Sequence, residues 1–108
     1  MSNWFSIEGK TALVTGGSRG IGEMIAAGFL INGARVYINS RKADVCDETA
    51  ARLANTHGGD CVSVPGDISD LGGIENVYNE IAKREERLDI LVNNAGSTWG
   101  APIDEFPE

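Results

Sequence analysis

Thr15-Gly16-Gly17-Ser18-Arg19-Gly20-Ile21-Gly22 follows an apolar run from Thr11 to Val14 and opens an amphipathic stretch. That order reads strand, glycine turn, helix, the setting in which a glycine-rich loop cradles a dinucleotide phosphate. A glycine at the strand end allows the tight turn, one at the helix start lets backbone N–H groups approach a pyrophosphate, and one a step later permits close helix–strand packing. Gly16, Ser18, Arg19, Gly20, Ile21 and Gly22 are therefore the candidate phosphate contacts.

Working outward, Thr11 to Thr15 is expected as a buried first strand and Gly20 to Asn32 as the first helix, with Ile21, Ile25 and Phe29 along one face and Gly33 as the stop. Ala34 to Asn39 suits a second strand, and Asp44 to Thr56 a helix with Val45, Thr49 and Leu53 on one stripe, closed by Gly58-Gly59. Cys61 to Val64 reads as a short third strand, Leu71 to Arg87 as a helix carrying Ile74, Val77, Tyr78, Ile81 and Ala82, and Leu88 to Asn93 as the fourth strand. Alternation of this kind implies parallel pairing with right-handed crossovers, and near-continuous apolar strands fit a sheet covered on both faces. The expected fold is α/β, a Rossmann-like doubly wound parallel sheet with strand order 3-2-1-4.

With 108 residues, 42% of them apolar, the chain has enough Val, Ile and Leu for a core. A net charge of -7 argues against a nucleic-acid partner, since such proteins usually carry a basic face. Residues 1 to 10 lack the pattern of a secretory signal, and no run reaches the ~18 to 20 apolar residues needed to span a bilayer. A soluble cytoplasmic protein without a membrane partner is the expectation. Cys46 and Cys61 show neither paired C-x-x-C spacing nor a disulfide framework and are read as reduced, small buried hydrophobes. His57 stands where a helix should end and suits the negative end of its dipole; no second ligand type surrounds it, and no metal site is expected.

The second strand decides which dinucleotide is expected. An acid near its end bonds the ribose hydroxyls of NAD and repels a 2′-phosphate. No Asp or Glu lies between Glu23 and Asp44, and the expected place holds Ser40, Arg41 and Lys42. Arg41 can fork onto phosphate oxygens while Ser40 donates a further hydrogen bond, so NADP is expected. Arg19 faces the positive end of a helix dipole, locally unfavourable by ~0.3 to 1 kcal/mol until an anion arrives. Solvated surface charge is the plain alternative for Arg19, Arg41 and Lys42.

The glycine turn, Asp67 after the third strand and Asn93-Asn94-Ala95-Gly96 after the fourth occur in one order. On these residues the sequence resembles the short-chain dehydrogenases/reductases from about Phe5 to its end. The turn looks like the family's T-G-x-x-x-G-x-G rather than the commoner G-x-G-x-x-G. The flanking Ile7-Glu8-Gly9-Lys10 and Ser97-Thr98-Trp99-Gly100 are similar to those of 3-oxoacyl reductases, including the type linked to rhamnolipid synthesis. The resemblance implies that Asp67, with Ile68 beside it, meets the adenine, and that Asn94, Ala95 and Gly96 line the ribose and nicotinamide side. Turn formation by Asp67 with Ser69 and Asp70 as helix caps, and amide-to-backbone bonds by Asn93 and Asn94, stay open as structural readings. Trp99 is either a pocket wall or packing.

Carbonyl reduction needs a proton donor as well as the cofactor's hydride. In the resembling family the donor is the Tyr of Y-x-x-x-K. Here Tyr37 has Arg41 four residues on, and Tyr78 has Ala82 there with Lys83 one position too far. No catalytic residue is assigned. The resemblance implies that residues 1–108 are the cofactor-binding half of a single domain, inactive alone, whose fourth strand is an apolar edge needing the remainder of the domain or a complementing chain. The intact protein is expected to be an NADP(H)-dependent oxidoreductase, a homo-oligomer that takes NADPH and a small-molecule carbonyl substrate, with 3-oxoacyl thioesters the nearest class. The alternatives are a stand-alone NADP(H)-binding or redox-sensing module without turnover, and an inert fragment.

Overall fold

The structure, a computed structural model, describes residues 6–94. Its elements alternate: β1 (Thr11–Thr15), α1 (Gly20–Ile31), β2 (Arg35–Asn39), α2 (Ala43–His57), β3 (Cys61–Ser63), α3 (Leu71–Ala82) and β4 (Ile90–Asn93). The four strands pair in parallel in the order β3-β2-β1-β4, as expected. The register sets Thr15 of β1 beside both Asn39 of β2 and Asn93 of β4. Three strands therefore end at one level, which puts the loops after β1 and β2 and residue Asn94 on the same rim of the sheet.

Alternation along the strands divides the core. Val14, Val36 and Ile38 face a layer made by Ala26 and Leu30 of α1 with Cys46, Ala50 and Leu53 of α2. Leu13 and Tyr37 face the other way, onto Val77 and Ile81 of α3. Burial on both faces explains the near-continuous apolar runs, because neither side of the central strands meets water. β4 forms one outer edge among the described residues, and its Leu91 is half exposed.

Three expectations are corrected by packing. The face of α1 turned to the core carries Gly22, Ala26 and Leu30, one position on from Ile21, Ile25 and Phe29. Ile25 and Phe29 pack only at its margin, and Ile21 is 67% exposed. The small residues Gly22 and Ala26 let the helix lie close to the sheet, so size rather than hydrophobicity selects the inward stripe. In α2 the buried residues include Cys46 and Ala50 beside Thr49 and Leu53, while Val45 is only half-buried.

Helix α3 ends at Ala82, not at Arg87. Beyond Ile81 the polar run Arg84-Glu85-Glu86-Arg87 offers no apolar anchor, and Glu85 leaves the helix for better partners. Its carboxylate accepts from Thr11 Oγ1 at 3.1 Å and the Tyr37 hydroxyl at 2.7 Å, and pairs with Arg35. Asp89 continues the seam: its backbone N–H donates to the Thr11 carbonyl, and its Oδ2 accepts from the Thr11 N–H at 2.9 Å. This polar seam joins the start of the sheet to the α3–β4 connection, on the end away from the glycine turn.

Candidate functional site

At the carboxyl ends of the strands, where open α/β sheets bind ligands, lies a cleft of about 380 Å³. One wall is the first turn, with Gly16, Ser18 and Arg19; a second is the stretch from Asn39 to Lys42; the third is Asp67 to Ser69, with Asn94 from the end of β4. Segments far apart in sequence meet here because β1 is central and its neighbours end in register with it.

The first turn is shaped by two close constraints. Gly16 has φ 66°, the left-handed region a side chain disfavours. Gly22 is buried against the same turn: a Cβ there would stand 2.1 Å from the Gly16 carbonyl oxygen and 2.7 Å from Asn94 Nδ2. Arg19 takes the N-cap position of α1 in extended conformation, and no side chain caps the helix. The opening N–H groups of α1 are thus left without a side-chain acceptor of their own. At the start of α2 the N-cap Lys42 offers no side-chain cap, but Asp44 Oδ1 accepts from the Val45 N–H at 2.9 Å.

Charge follows the same geometry. Among the described residues Arg19, Arg41 and Lys42 line the cleft against one carboxylate, Asp67, although the chain as a whole carries -7. Two helix starts add their positive dipole ends at Arg19 and Lys42. A cleft of this size, cationic at its rim and built around glycine backbone, fits a phosphorylated nucleotide. Among the described residues no group of three or more His, Cys, Asp and Glu stands ready for a metal ion.

Side chains tie the backbone of the walls in place. Thr49 of α2, 1% exposed, donates its hydroxyl to the Ser18 carbonyl at 3.1 Å. Asn94 reaches the Gly16 carbonyl through Nδ2 at 3.5 Å, and its N–H donates to Thr15 Oγ1 at 2.9 Å. The Thr15 hydroxyl lies 3.0 Å from Asn93 Oδ1. Thr49 and Asn94 both turn carbonyl oxygens of the first turn toward protein donors, a useful arrangement around an anion, which those oxygens would repel. The Asn94 amide thus bonds backbone, whereas the Asn93 amide oxygen accepts from the Thr15 side chain.

Asp67 also makes a turn of its own, its Oδ1 accepting from the Ser69 N–H at 2.9 Å. Hydrogen bonding from Ser69, side chain first and then backbone, holds the Asp67 carboxyl below its ordinary range, with the Arg41 guanidinium adding to the effect. Asp70, not Ser69, caps α3, accepting from the Gly73 N–H at 2.7 Å.

Of the residues expected from the sequence, Gly16, Ser18, Arg19, Ser40, Arg41, Asp67, Ile68 and Asn94 come together around the cleft. Gly20, Ile21 and Gly22 do not line it: Gly20 opens α1, Ile21 points largely to solvent and Gly22 packs beneath the turn. Ala95, Gly96 and Trp99 lie outside the described residues. Sequence reasoning missed Asn39 and the role of Thr49. Their only signal was a polar residue on an otherwise apolar stripe, at the end of Val36-Tyr37-Ile38 and beside Ala50 and Leu53.

Cys46 is wholly buried, but Cys61 is only half-buried; both are free thiols. His57 occupies the last position of α2, before Gly58 in the left-handed conformation.

Residues 10–108 match the family model described as short chain dehydrogenase. The chain is 50% identical over 107 residues to a rhamnolipids biosynthesis 3-oxoacyl-[acyl-carrier-protein] reductase from Pseudomonas aeruginosa, covering 99% of this chain and 41% of that protein. Among solved structures it is similar to the Pseudomonas aeruginosa RhlG/NADP active-site complex, with TM-score 0.80 and 47% identity, over 93% of this chain and 41% of that one. It is also similar to L-sorbose reductase from Gluconobacter frateurii complexed with NADPH and L-sorbose, with TM-score 0.82 and 35% identity, over 95% of this chain and 39% of that one. The chain thus spans about two fifths of the length of these relatives, 41% in the first case.

Proposed function

Because the chain belongs to the short chain dehydrogenase family, we propose that it holds NADP(H) in the cleft described above, and that the whole protein uses it to reduce the carbonyl of a small molecule. The observation that carries the choice of NADP is the turn after β2. Ser40, Arg41 and Lys42 stand there without a carboxylate, in a cleft that also holds Arg19. Arginine presents a planar fork to phosphate oxygens, and lysine adds a point charge. Both solved relatives named above are complexes with NADP or NADPH, which supports the same reading.

In this proposal Gly16, Ser18 and Arg19 meet the pyrophosphate at the start of α1, with Gly22 packed beneath the turn, and Ser40 and Arg41 hold the 2′-phosphate. Asp67 and Ile68 border the adenine, and Asn94, Ala95 and Gly96 border the nicotinamide side. When bound, the reduced cofactor supplies the hydride. The residues of this chain bind and orient it and turn their own carbonyls away from its phosphates. The proton donor, the substrate pocket and a strand to pair with β4 belong, in this proposal, to the rest of a larger domain, so residues 1–108 alone do not turn over. The identity to a 3-oxoacyl reductase supports 3-oxoacyl thioesters as the substrate class, and a cytoplasmic homo-oligomer is part of the same proposal.

Calorimetric titration of the full protein with NADPH and with NADH tests the cofactor assignment. NADPH is expected to bind markedly tighter; equal affinities, or no heat from either, reject it. Oxidation of NADPH on adding a 3-oxoacyl thioester then tests the substrate class.

A further inference from the structure

Asn39 ends β2 and is 1% exposed. The strand ahead of it, Val36-Tyr37-Ile38, is apolar, and a buried amide is costly unless its hydrogen bonds are made. Asn39 Nδ2 donates to the Val64 carbonyl at 2.9 Å and to the Gly66 carbonyl at 3.1 Å. Two carbonyl acceptors demand the NH2 end of the amide, so the orientation of the side chain is fixed by its partners. β3 stops at Ser63, and both acceptors therefore lie beyond its last residue.

The backbone of the same residue faces the opposite wall. Its carbonyl accepts from the Gly17 N–H at 3.2 Å, while the next residue, Ser40, accepts from the Gly66 N–H at 3.0 Å. One buried residue thus joins the three segments that wall the cleft: the glycine turn, the Ser40–Lys42 stretch and the loop that leads to Asp67 and Ile68. Asn39 itself lies at the base of that cleft.

We propose that Asn39 is a positioning residue for the adenosine end of the cleft, fixing the loop that carries Asp67 and Ile68 against the glycine turn. The proposal rests on the NADP(H) reading above. Replacing the side chain by Ala removes the donor from two carbonyls and frees the loop, while leaving the phosphate-binding cations untouched.

The test uses the full protein and its Asn39→Ala variant, titrated with 2′,5′-ADP, reduced nicotinamide mononucleotide, NADPH and NADH below the thermal transition of both. A residue that merely supports the fold lowers the folded fraction and weakens every ligand alike. A positioning role weakens 2′,5′-ADP by about tenfold, leaves the mononucleotide unchanged, and weakens NADPH and NADH equally. Should Asn39→Ala fail to fold, Asn39→Ser, which keeps one donor, is read by the same ratios. Unchanged 2′,5′-ADP affinity, or equal losses for the adenosine and nicotinamide halves, overturns the role of Asn39. Wild-type protein that binds neither NADPH nor 2′,5′-ADP removes instead the function reading on which it rests.

Discussion

Gly22 and Gly16 approach so closely that a Cβ on Gly22 would stand 2.1 Å from the Gly16 carbonyl oxygen. The last glycine of the stretch is therefore a packing residue: it lets α1 rest on the backbone of the very turn it follows, and so aims the helix start at the cleft. Gly22→Ala should cost about 1 to 3 kcal/mol through forced backbone movement and should weaken NADPH as the turn shifts. Urea unfolding and coenzyme titration check both effects. A variant of wild-type stability would show that the two glycines do not touch as described.

Arg41 lines the cleft beside Ser40 and Lys42. If it grips a 2′-phosphate, Arg41→Asp removes a charged fork and installs a repelling carboxylate. NADPH affinity should then fall by about tenfold to a hundredfold, with little change for NADH. Equal losses for the two coenzymes would remove the case for phosphate contact. The pattern differs from that expected for Asn39→Ala, where both coenzymes weaken together.

The Glu85 side chain is only 8% exposed and meets Arg35, Tyr37 and Thr11. Burial pushes its carboxyl up, but hydrogen bonds from Arg35, Tyr37 and Thr11 outweigh that and leave it below the ordinary glutamate value. A depressed carboxyl stabilises the fold above its unfolded pKa of about 4.3, and that contribution is lost as pH falls through the lower, folded value. Glu85→Gln should therefore be less stable than wild type near neutrality, by about 1 to 3 kcal/mol. The gap should narrow below about pH 4 as the wild-type carboxylate takes its proton. Denaturant midpoints across that range measure it; a gap independent of pH would mean the charge plays no part.

Burial pushes the Cys61 thiol up to about 12. Cys46 is fully buried and donates Sγ–H to the Ile38 carbonyl at 3.3 Å. Both should resist iodoacetamide in the native protein at neutral pH and react once denaturant is added, since the thiolate is the nucleophile. Mass spectrometry of the labelled protein reports this directly. Rapid labelling of native Cys61 would contradict its shielding.

Local chemistry made much of this protein legible in the sequence. The glycine turn, the stop at Gly33, the left-handed Gly58 and the apolar strands each express a backbone or burial preference within a few residues, so element order, strand order and most of the cleft could be read from them. What the sequence could not express was which small residues touch. The inward face of α1 fell on Gly22 and Ala26 because the helix must lie close to β1 and its turn, a distance set by the packed sheet and not by the spacing of Ile21, Ile25 and Phe29. Helix α3 stopped five residues early because Glu85 found Thr11, Arg35 and Tyr37 on two strands far away in the chain. Asn39 looked like an ordinary strand end until folding brought the Val64 and Gly66 carbonyls to its amide. Backbone preference acts over a few residues, whereas hydrogen bonds across the sheet exist only once distant segments have met, and that division separates what the sequence determined alone from what the tertiary structure decided.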